Sequence, residues 1–119
     1  MNFDEMILAH SRWKTRFRKF IETPTEDLDA ETIGADDRCD LGKWIHGEGS
    51  RHAGCSEYEK LKSMHAKFHA AGANVVQKVR SGSAAKAREM LDSLTGEFGR
   101  ASSECISAIA ALRDALRRR

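Results

Sequence analysis

Apolar residues recur at intervals of three and four along three long segments of the chain, and the single proline, Pro24, follows the first segment. This spacing places the apolar residues on one face of a helix. In the first segment that face comprises Phe3, Met6, Ile7, His10, Trp13, Phe17, Phe20 and Ile21. The face stops at Thr23 and Pro24, which predict the end of the helix. The sequence therefore predicts an all-α protein.

The other two long segments are also predicted to be helical. Ser56 and Glu59 have the spacing of a capping box, which predicts a helix start, and Ser81-Gly82-Ser83 predicts its end. The buried face of that helix comprises Tyr58, Leu61, His65, Phe68, His69, Val75, Val76 and Val79. The last segment carries a near-heptad seam of Leu91, Leu94, Phe98, Ala101, Cys105, Ala108, Leu112 and Ala115. Such a seam is typical of helices in a bundle or at a dimer contact, and Gly96 and Gly99 are positions where it can bend.

Between the first two long helices the pattern is weaker. Residues 25–38 are polar and acidic, and they predict a connection with one helical turn at most. Leu41, Trp44 and Ile45 then predict a short helix that ends at Gly47. With 119 residues the chain has the length of one domain, spanning 1–119. The predicted architecture is a four-helix-bundle core with a short extra helix.

Composition excludes several classes of function. The chain has 20 basic and 18 acidic residues and a net charge of +2, so it lacks the strong basic footprint of a nucleic-acid-binding protein. No segment approaches the about 20 apolar residues that span a bilayer. The start of the chain does not resemble a signal peptide, and we expect a cytoplasmic protein. Its three cysteines are then free thiols or metal ligands.

Three histidines lie on faces that are predicted to be buried. His65 and His69 are four residues apart, so their side chains are neighbours on a helix. His10 lies within the apolar face of the first helix, and Cys39 stands at the start of the short helix. Buried imidazoles need hydrogen-bond partners, and a shared ion would satisfy all three at once. Zinc accepts four ligands of this kind. The alternative is three histidines bonded separately to backbone carbonyls, with an inert thiol nearby.

Three sequence motifs carry a resemblance to a known family. The chain reads His-Ser-Arg-Trp from His10, Cys-Asp-Leu-Gly-Lys-Trp from Cys39, and His-Ala-Lys-Phe-His from His65. In this order they resemble the chemoreceptor zinc-binding (CZB) domain, with its H-x-x-W, C-x-L-G-x-W and H-x-x-x-H pattern. The resemblance implies a dimeric bacterial regulatory domain that works with chemoreceptors or diguanylate cyclases. By position it implies that His10, Cys39, His65 and His69 bind Zn²⁺, and that Trp13, Leu41, Gly42 and Trp44 pack around the site.

The expected site is sensory. Four protein ligands leave no open position on zinc for a reacting water, so we expect no enzyme and assign no catalytic residue. Cys39 is the expected redox-sensing residue, because thiolates are the form that oxidants attack. Zinc itself and hypochlorous acid are both candidate signals, and the output is expected to be chemotaxis or cyclic-di-GMP signalling. Homodimerisation is expected, and partners among nucleic acids or membranes are not.

Two alternative functions and several minor roles remain open from the sequence. The alternatives are a structural helical interaction module and a di-iron, hemerythrin-like oxygen-binding bundle. His46, His52 and Cys55 cluster in a glycine-rich loop, where we do not expect a second metal site. Cys105 is expected to be a small core residue. Asp36 and Asp37 are expected to cap the short helix, or to accept a hydrogen bond from a ligand histidine.

Overall fold

A computed structural model describes residues 1–24, 28–93 and 95–118 of the chain. These residues form seven α-helices and one 3₁₀ helix, and no strand occurs among them. In chain order they are α1 (Phe3–Ser11), α2 (Trp13–Glu22), α3 (Ala30–Gly34), α4 (Asp40–His46), the 3₁₀ helix (Glu48–His52), α5 (Ser56–Arg80), α6 (Ala84–Asp92) and α7 (Glu97–Arg117). The all-α prediction is confirmed.

The helices α1 and α2 are almost one helix. Arg12, between them, keeps helical dihedral angles of φ −71° and ψ −20°. Its amide donates to the carbonyl of Leu8 at 3.1 Å, and its carbonyl accepts from the amide of Arg16 at 3.2 Å. The predicted first helix therefore exists with one interruption, and it presents His10, Phe17 and Phe20 to the interior.

The bundle has three long columns, which are α1 with α2, α5 alone, and α6 with α7. α1 packs against α7, α2 packs against α6, and α5 packs against both α6 and α7. Ion pairs show that the outer columns are antiparallel, since Asp4 contacts Arg113 near the end of α7 while Arg18 contacts Asp92 at the end of α6. The short helix α3 packs against α5. This arrangement confirms the four-helix-bundle core with an extra short helix, α4, which begins just after Cys39.

The last apolar segment is divided into two helices. α6 ends at Asp92 and α7 starts at Glu97, so the predicted seam spans a turn. A Cβ atom on Gly96 would lie 2.5 Å from the carbonyl oxygen of Glu89, and one on Gly99 would lie 2.3 Å from that of Ser93. The two glycines thus allow a close approach between the helix ends. Leu94 of the predicted seam lies outside the described residues.

Two capping predictions are wrong. The N-cap of α5 is Cys55, and the hydroxyl of Ser56 contacts the Glu57 carboxylate at 3.1 Å instead of closing a capping box. The N-cap of α4 is Cys39, whose Sγ accepts a hydrogen bond from the amide of Gly42 at 3.3 Å. Asp36 and Asp37 therefore do not cap α4. The N-cap of α4 is instead a cysteine, a residue type that is not among the preferred N-caps.

Candidate metal centre

Four side chains from three parts of the chain converge inside the bundle. His10, Cys39, His65 and His69 each direct one donor atom to a common point, and these atoms lie within 4.8 Å of one another. The Sγ atom of Cys39 lies 3.2 Å from Nε2 of His65, 3.6 Å from Nε2 of His69 and 3.8 Å from Nε2 of His10. The Nε2 atoms of His65 and His69 are 3.1 Å apart. The structure thus brings together all four residues that were predicted as ligands.

Two of the imidazoles are oriented by backbone carbonyls. Nδ1 of His10 lies 2.7 Å from the carbonyl oxygen of Met6, one helical turn earlier. Nδ1 of His69 lies 2.8 Å from the carbonyl oxygen of Ile33 in α3. Because a carbonyl only accepts, both Nδ1 atoms carry the proton and donate it. Nε2 of each ring is then unprotonated, and its lone pair faces the cluster, as ligation of a metal requires.

α3 reaches His69 because α5 has a glycine at the contact. A Cβ atom on Gly72 would lie 3.1 Å from Cγ2 of Ile33 and 3.1 Å from the ring of Phe17. A larger residue there would push α3 outward and lengthen the bond between Ile33 and His69. The sequence reveals no sign of this contact, since any residue at position 33 supplies a carbonyl.

His65 differs from the other two histidines. Its side chain is fully buried, and Nδ1 has no hydrogen-bond partner. Only the Nε2 side of the ring has polar neighbours, namely Cys39 and His69. Ligation of a metal at Nε2 would keep the proton on Nδ1, which is the side of the ring without a polar partner.

The position of Cys39 depends on Gly42. A Cβ atom on Gly42 would lie 1.8 Å from the carbonyl oxygen of Asp36, so only glycine allows the preceding loop to pass over α4. Leu41, the next residue toward the N-terminus, is fully buried. Both positions were predicted to pack around the site. In the structure Leu41 belongs to the buried core, and the amide of Gly42 donates to Sγ of Cys39.

The two tryptophans pack differently from each other. The ring of Trp13 lies 5.2 Å from that of Phe17, and the guanidinium of Arg16 covers it at 4.0 Å. Trp44 is on α4 and meets the ring of Phe3 edge-on at 5.4 Å. Trp44 thereby packs α4 against the start of α1, the helix that contains His10.

Burial governs the protonation of the cluster. It lowers the pKa of His10 and His69, in each case opposed by the hydrogen bond to a carbonyl, and it lowers the pKa of His65 to about 2. Burial also raises the pKa of the Cys39 thiol, although the amides of Gly42 and Leu41 act in the opposite direction. The amides at the start of α4 therefore favour the thiolate by less than desolvation disfavours it. Without a cation the cluster consists of neutral imidazoles and a neutral thiol.

The donor set fits a tetrahedral zinc ion. Bonds of about 2.0–2.1 Å to nitrogen and about 2.3 Å to sulfur would separate two nitrogens by about 3.3 Å and a nitrogen from the sulfur by about 3.6 Å. The distances of 3.1 Å between nitrogens and of 3.2, 3.6 and 3.8 Å from sulfur agree with these values. The cluster is thus consistent with Zn²⁺. A carboxylate-bridged di-iron pair is not supported, because no Asp or Glu among the described residues belongs to the cluster.

The remaining candidate residues form no second centre in the described part of the chain. His52 lies against the ring of Trp44 at 5.9 Å, and Cys55 contacts the Glu57 carboxylate. Cys105 is fully buried in the core, as expected, and burial raises its pKa to about 12. The predicted hydrogen bond from a ligand histidine to Asp36 is absent, since His69 donates to Ile33 instead.

The fold and the cluster define a helical metal-binding domain, and comparison with known families identifies it. Residues 10–76, more than half of the chain, match the family model of the chemoreceptor zinc-binding domain, CZB. The chain therefore belongs to the CZB family, which confirms the resemblance seen in the sequence. No curated protein and no solved structure shows significant similarity to the chain.

No helix within the described residues is both long enough and apolar enough to span a bilayer.

Proposed function

We propose that this chain is a cytoplasmic sensory domain that binds one Zn²⁺ through His10, Cys39, His65 and His69. The observation that carries the proposal is the convergence of their four donor atoms within 4.8 Å in an otherwise apolar core. Two of the histidines already have the tautomer that ligation at Nε2 requires. Membership of a zinc-binding family supports the choice of metal.

The role we propose is regulatory and not catalytic. Three nitrogens and one sulfur complete the coordination of zinc, so no position is left for a water that could attack a substrate. The histidines have exposed fractions of 2%, 0% and 5%, which leaves a substrate little access to the ion. A closed centre of this kind instead links the presence of the metal to the packing of α1, α4 and α5.

Cys39 is the redox-sensing residue in this proposal. It alone among the four ligands is partly exposed, and zinc would hold it as a thiolate although burial favours the thiol. Hypochlorous acid oxidises a thiolate to a sulfenic acid and is itself reduced to chloride. The sulfenic acid is a weaker ligand than the thiolate, so α4 would lose its attachment to α5. Falling zinc availability would release α4 in the same way.

The output we propose is chemotaxis or cyclic-di-GMP signalling, through a chemoreceptor or a diguanylate cyclase. The family supports this class of partner. A homodimer is proposed on the same ground, and apolar residues outside the core offer a surface for it. Leu8 is 53% exposed, while Ile106 and Leu116 are partly exposed on α7. The predicted seam is not itself available, since Cys105 and Leu112 are buried within the chain.

Metal analysis tests the proposed function. The purified protein should contain one zinc per chain after dialysis, and Cys39→Ala should lose most of it. Cys105→Ala is the matched control, because it removes a core thiol that belongs to no cluster, and it should keep the metal. Zinc retention by Cys39→Ala would contradict the proposal, and a zinc-free wild-type protein would favour the helical interaction module.

The oxidant response has its own test. Hypochlorous acid added stepwise to zinc-loaded protein should release the metal at about one equivalent per chain, with Cys39 as the first residue modified. Mass spectrometry identifies the modified residue, and a zinc-sensitive dye reports the release. If methionines were oxidised throughout before any zinc left, the domain would respond to zinc alone.

A further inference from the structure

Cys39 is the one member of the metal cluster that is partly exposed. His10, His65 and His69 are buried, whereas Cys39 has intermediate exposure. The protein surface nearest to the cluster is therefore the surface around Cys39. The residues of that surface belong to the loop before α4 and to α4 itself.

Two side chains on this surface have the chemistry of zinc ligands. Oδ2 of Asp36 lies 3.4 Å from Nε2 of His46, and the two side chains are 28% and 37% exposed. The main chain of Asp36 rests on Gly42, whose amide bonds to Sγ of Cys39. His46 is the last residue of α4, the helix that Cys39 caps. A carboxylate and an imidazole thus stand together, partly exposed, on the loop and the helix that position Cys39.

Both side chains are close enough to the cluster to act on it electrostatically. The carboxylate of Asp36 raises the pKa of His69 against the effect of burial. A charge on His46 adds to the lowering of the pKa of His65. The two outer groups therefore each act on a different buried ligand.

We propose that Asp36 and His46 form an outer relay that binds Zn²⁺ transiently as it passes between solvent and the four buried donors. This inference rests on the proposed zinc site and adds the route by which the metal is exchanged. An imidazole nitrogen and a carboxylate oxygen are both zinc ligands. Two such ligands leave the ion largely hydrated, so it is held weakly and can move inward to Cys39. The Asp36 carboxylate attracts the ion at the surface, and both side chains replace part of its water before the buried ligands bind.

The rates of zinc uptake and release distinguish a relay from a pair of side chains that only fastens the loop to α4. A group that contacts the ion only in transit lowers the barrier in both directions, so its loss slows uptake and release by the same factor and leaves the dissociation constant unchanged. A group that merely fastens the loop to α4 would instead weaken the bound state, so its loss would speed release and raise the dissociation constant.

The test compares Asp36→Asn and His46→Gln with His52→Gln as the matched control. His52 is a partly exposed histidine in the 3₁₀ helix, and it packs on Trp44 and belongs to no cluster. Stopped-flow mixing of metal-free protein with Zn²⁺ measures uptake, and mixing of zinc-loaded protein with excess chelator measures release. Both rates should fall about tenfold in the two relay variants, which corresponds to a barrier that is about 1.4 kcal/mol higher in each direction. The dissociation constant should change less than about twofold, and His52→Gln should match the wild type.

Three results would overturn the relay. Unchanged rates in both variants would show that the ion takes another path. Faster release with unchanged uptake would show that the pair only fastens the loop to α4. A decrease in uptake that vanishes at high salt would show long-range attraction without binding. Failure of the proposed function is distinguishable from all three, because the wild-type protein would then bind no stoichiometric zinc.

Discussion

The two ends of the bundle core contain different kinds of side chain. At the apolar end, where α2, α6 and the last turns of α5 meet, the core consists of side chains that need no partner: Phe20, Ile21, Val76, Val79, Ala87 and Leu91. At the metal end, where α1, α4 and the middle of α5 meet, the core contains three histidines and a cysteine. The apolar end is stable by burial alone. At the metal end the four donors face one another and can share a cation, and in the proposed function this is the end that responds to the signal.

Substitution of a ligand should give the largest effect, and it should be confined to the metal end. His65→Ala and His69→Ala each remove one of four donors, so zinc affinity should fall by more than the about 10–100-fold that follows loss of a ligand's hydrogen-bond partner. Much of the helix should remain, because the apolar end does not depend on the ion. Competition with a chelator measures affinity, and far-ultraviolet circular dichroism measures helix. Complete unfolding would show that the metal is structural before it is regulatory.

Substitution at the apolar end should lower the stability of the fold and leave zinc binding unchanged. Leu91 is fully buried in α6 and far along the chain from every ligand. Leu91→Ala should lower the free energy of unfolding by about 2–5 kcal/mol through the cavity it leaves. Denaturant unfolding of the zinc-loaded protein measures this change, and the zinc content of the folded protein should stay at one per chain. A loss of zinc in this variant would mean that the two ends are not separate.

A methyl group at position 42 should weaken the metal end without removing a ligand. In Gly42→Ala the new Cβ would meet the carbonyl of Asp36, so the loop and the first turn of α4 must move apart. The thiol moves with them, and we expect zinc affinity to fall about tenfold, at the lower limit for a change beside a ligand. Lys43→Ala, on the exposed side of the same helix, is the control and should bind zinc normally. Equal affinity in both variants would show that α4 adapts without moving Cys39.

For each histidine, the pH dependence of the metal-free protein should be the smallest of these effects. Burial lowers the pKa of His10, His65 and His69, so the unfolded chain takes up protons near pH 6.5 that the folded chain does not. The unfolded state then binds more protons, and the free energy of unfolding falls as pH decreases below about 6.5. We expect about 0.5 kcal/mol for each histidine between pH 7 and 6.

Urea denaturation with a chelator present measures that slope. His65→Phe should flatten it, because the variant replaces a buried titratable ring with an apolar one, whereas His52→Gln should leave it unchanged. A slope that is the same in all three proteins would mean that the buried histidines do not contribute.

The sequence predicted the ligand side chains better than the backbone groups that orient them. His10, His65 and His69 stood out because helical spacing placed polar rings on buried faces, and this periodicity survives any detail of packing. The carbonyls of Met6 and Ile33, which orient two of the rings, have no sequence signal, because every residue has a carbonyl. Gly96 and Gly99 marked where the last segment can bend, but a full break between α6 and α7 was not predicted, since Leu91 and Phe98 keep a seven-residue interval across it.

X-ray absorption at the zinc edge of the loaded wild-type protein tests the central claim most directly. The account predicts a four-coordinate ion with one sulfur at about 2.3 Å and three nitrogens at about 2.0–2.1 Å, and Cys39→Ala should eliminate the sulfur signal. A wild-type spectrum with no sulfur neighbour, or with oxygens in place of the imidazoles, would contradict it.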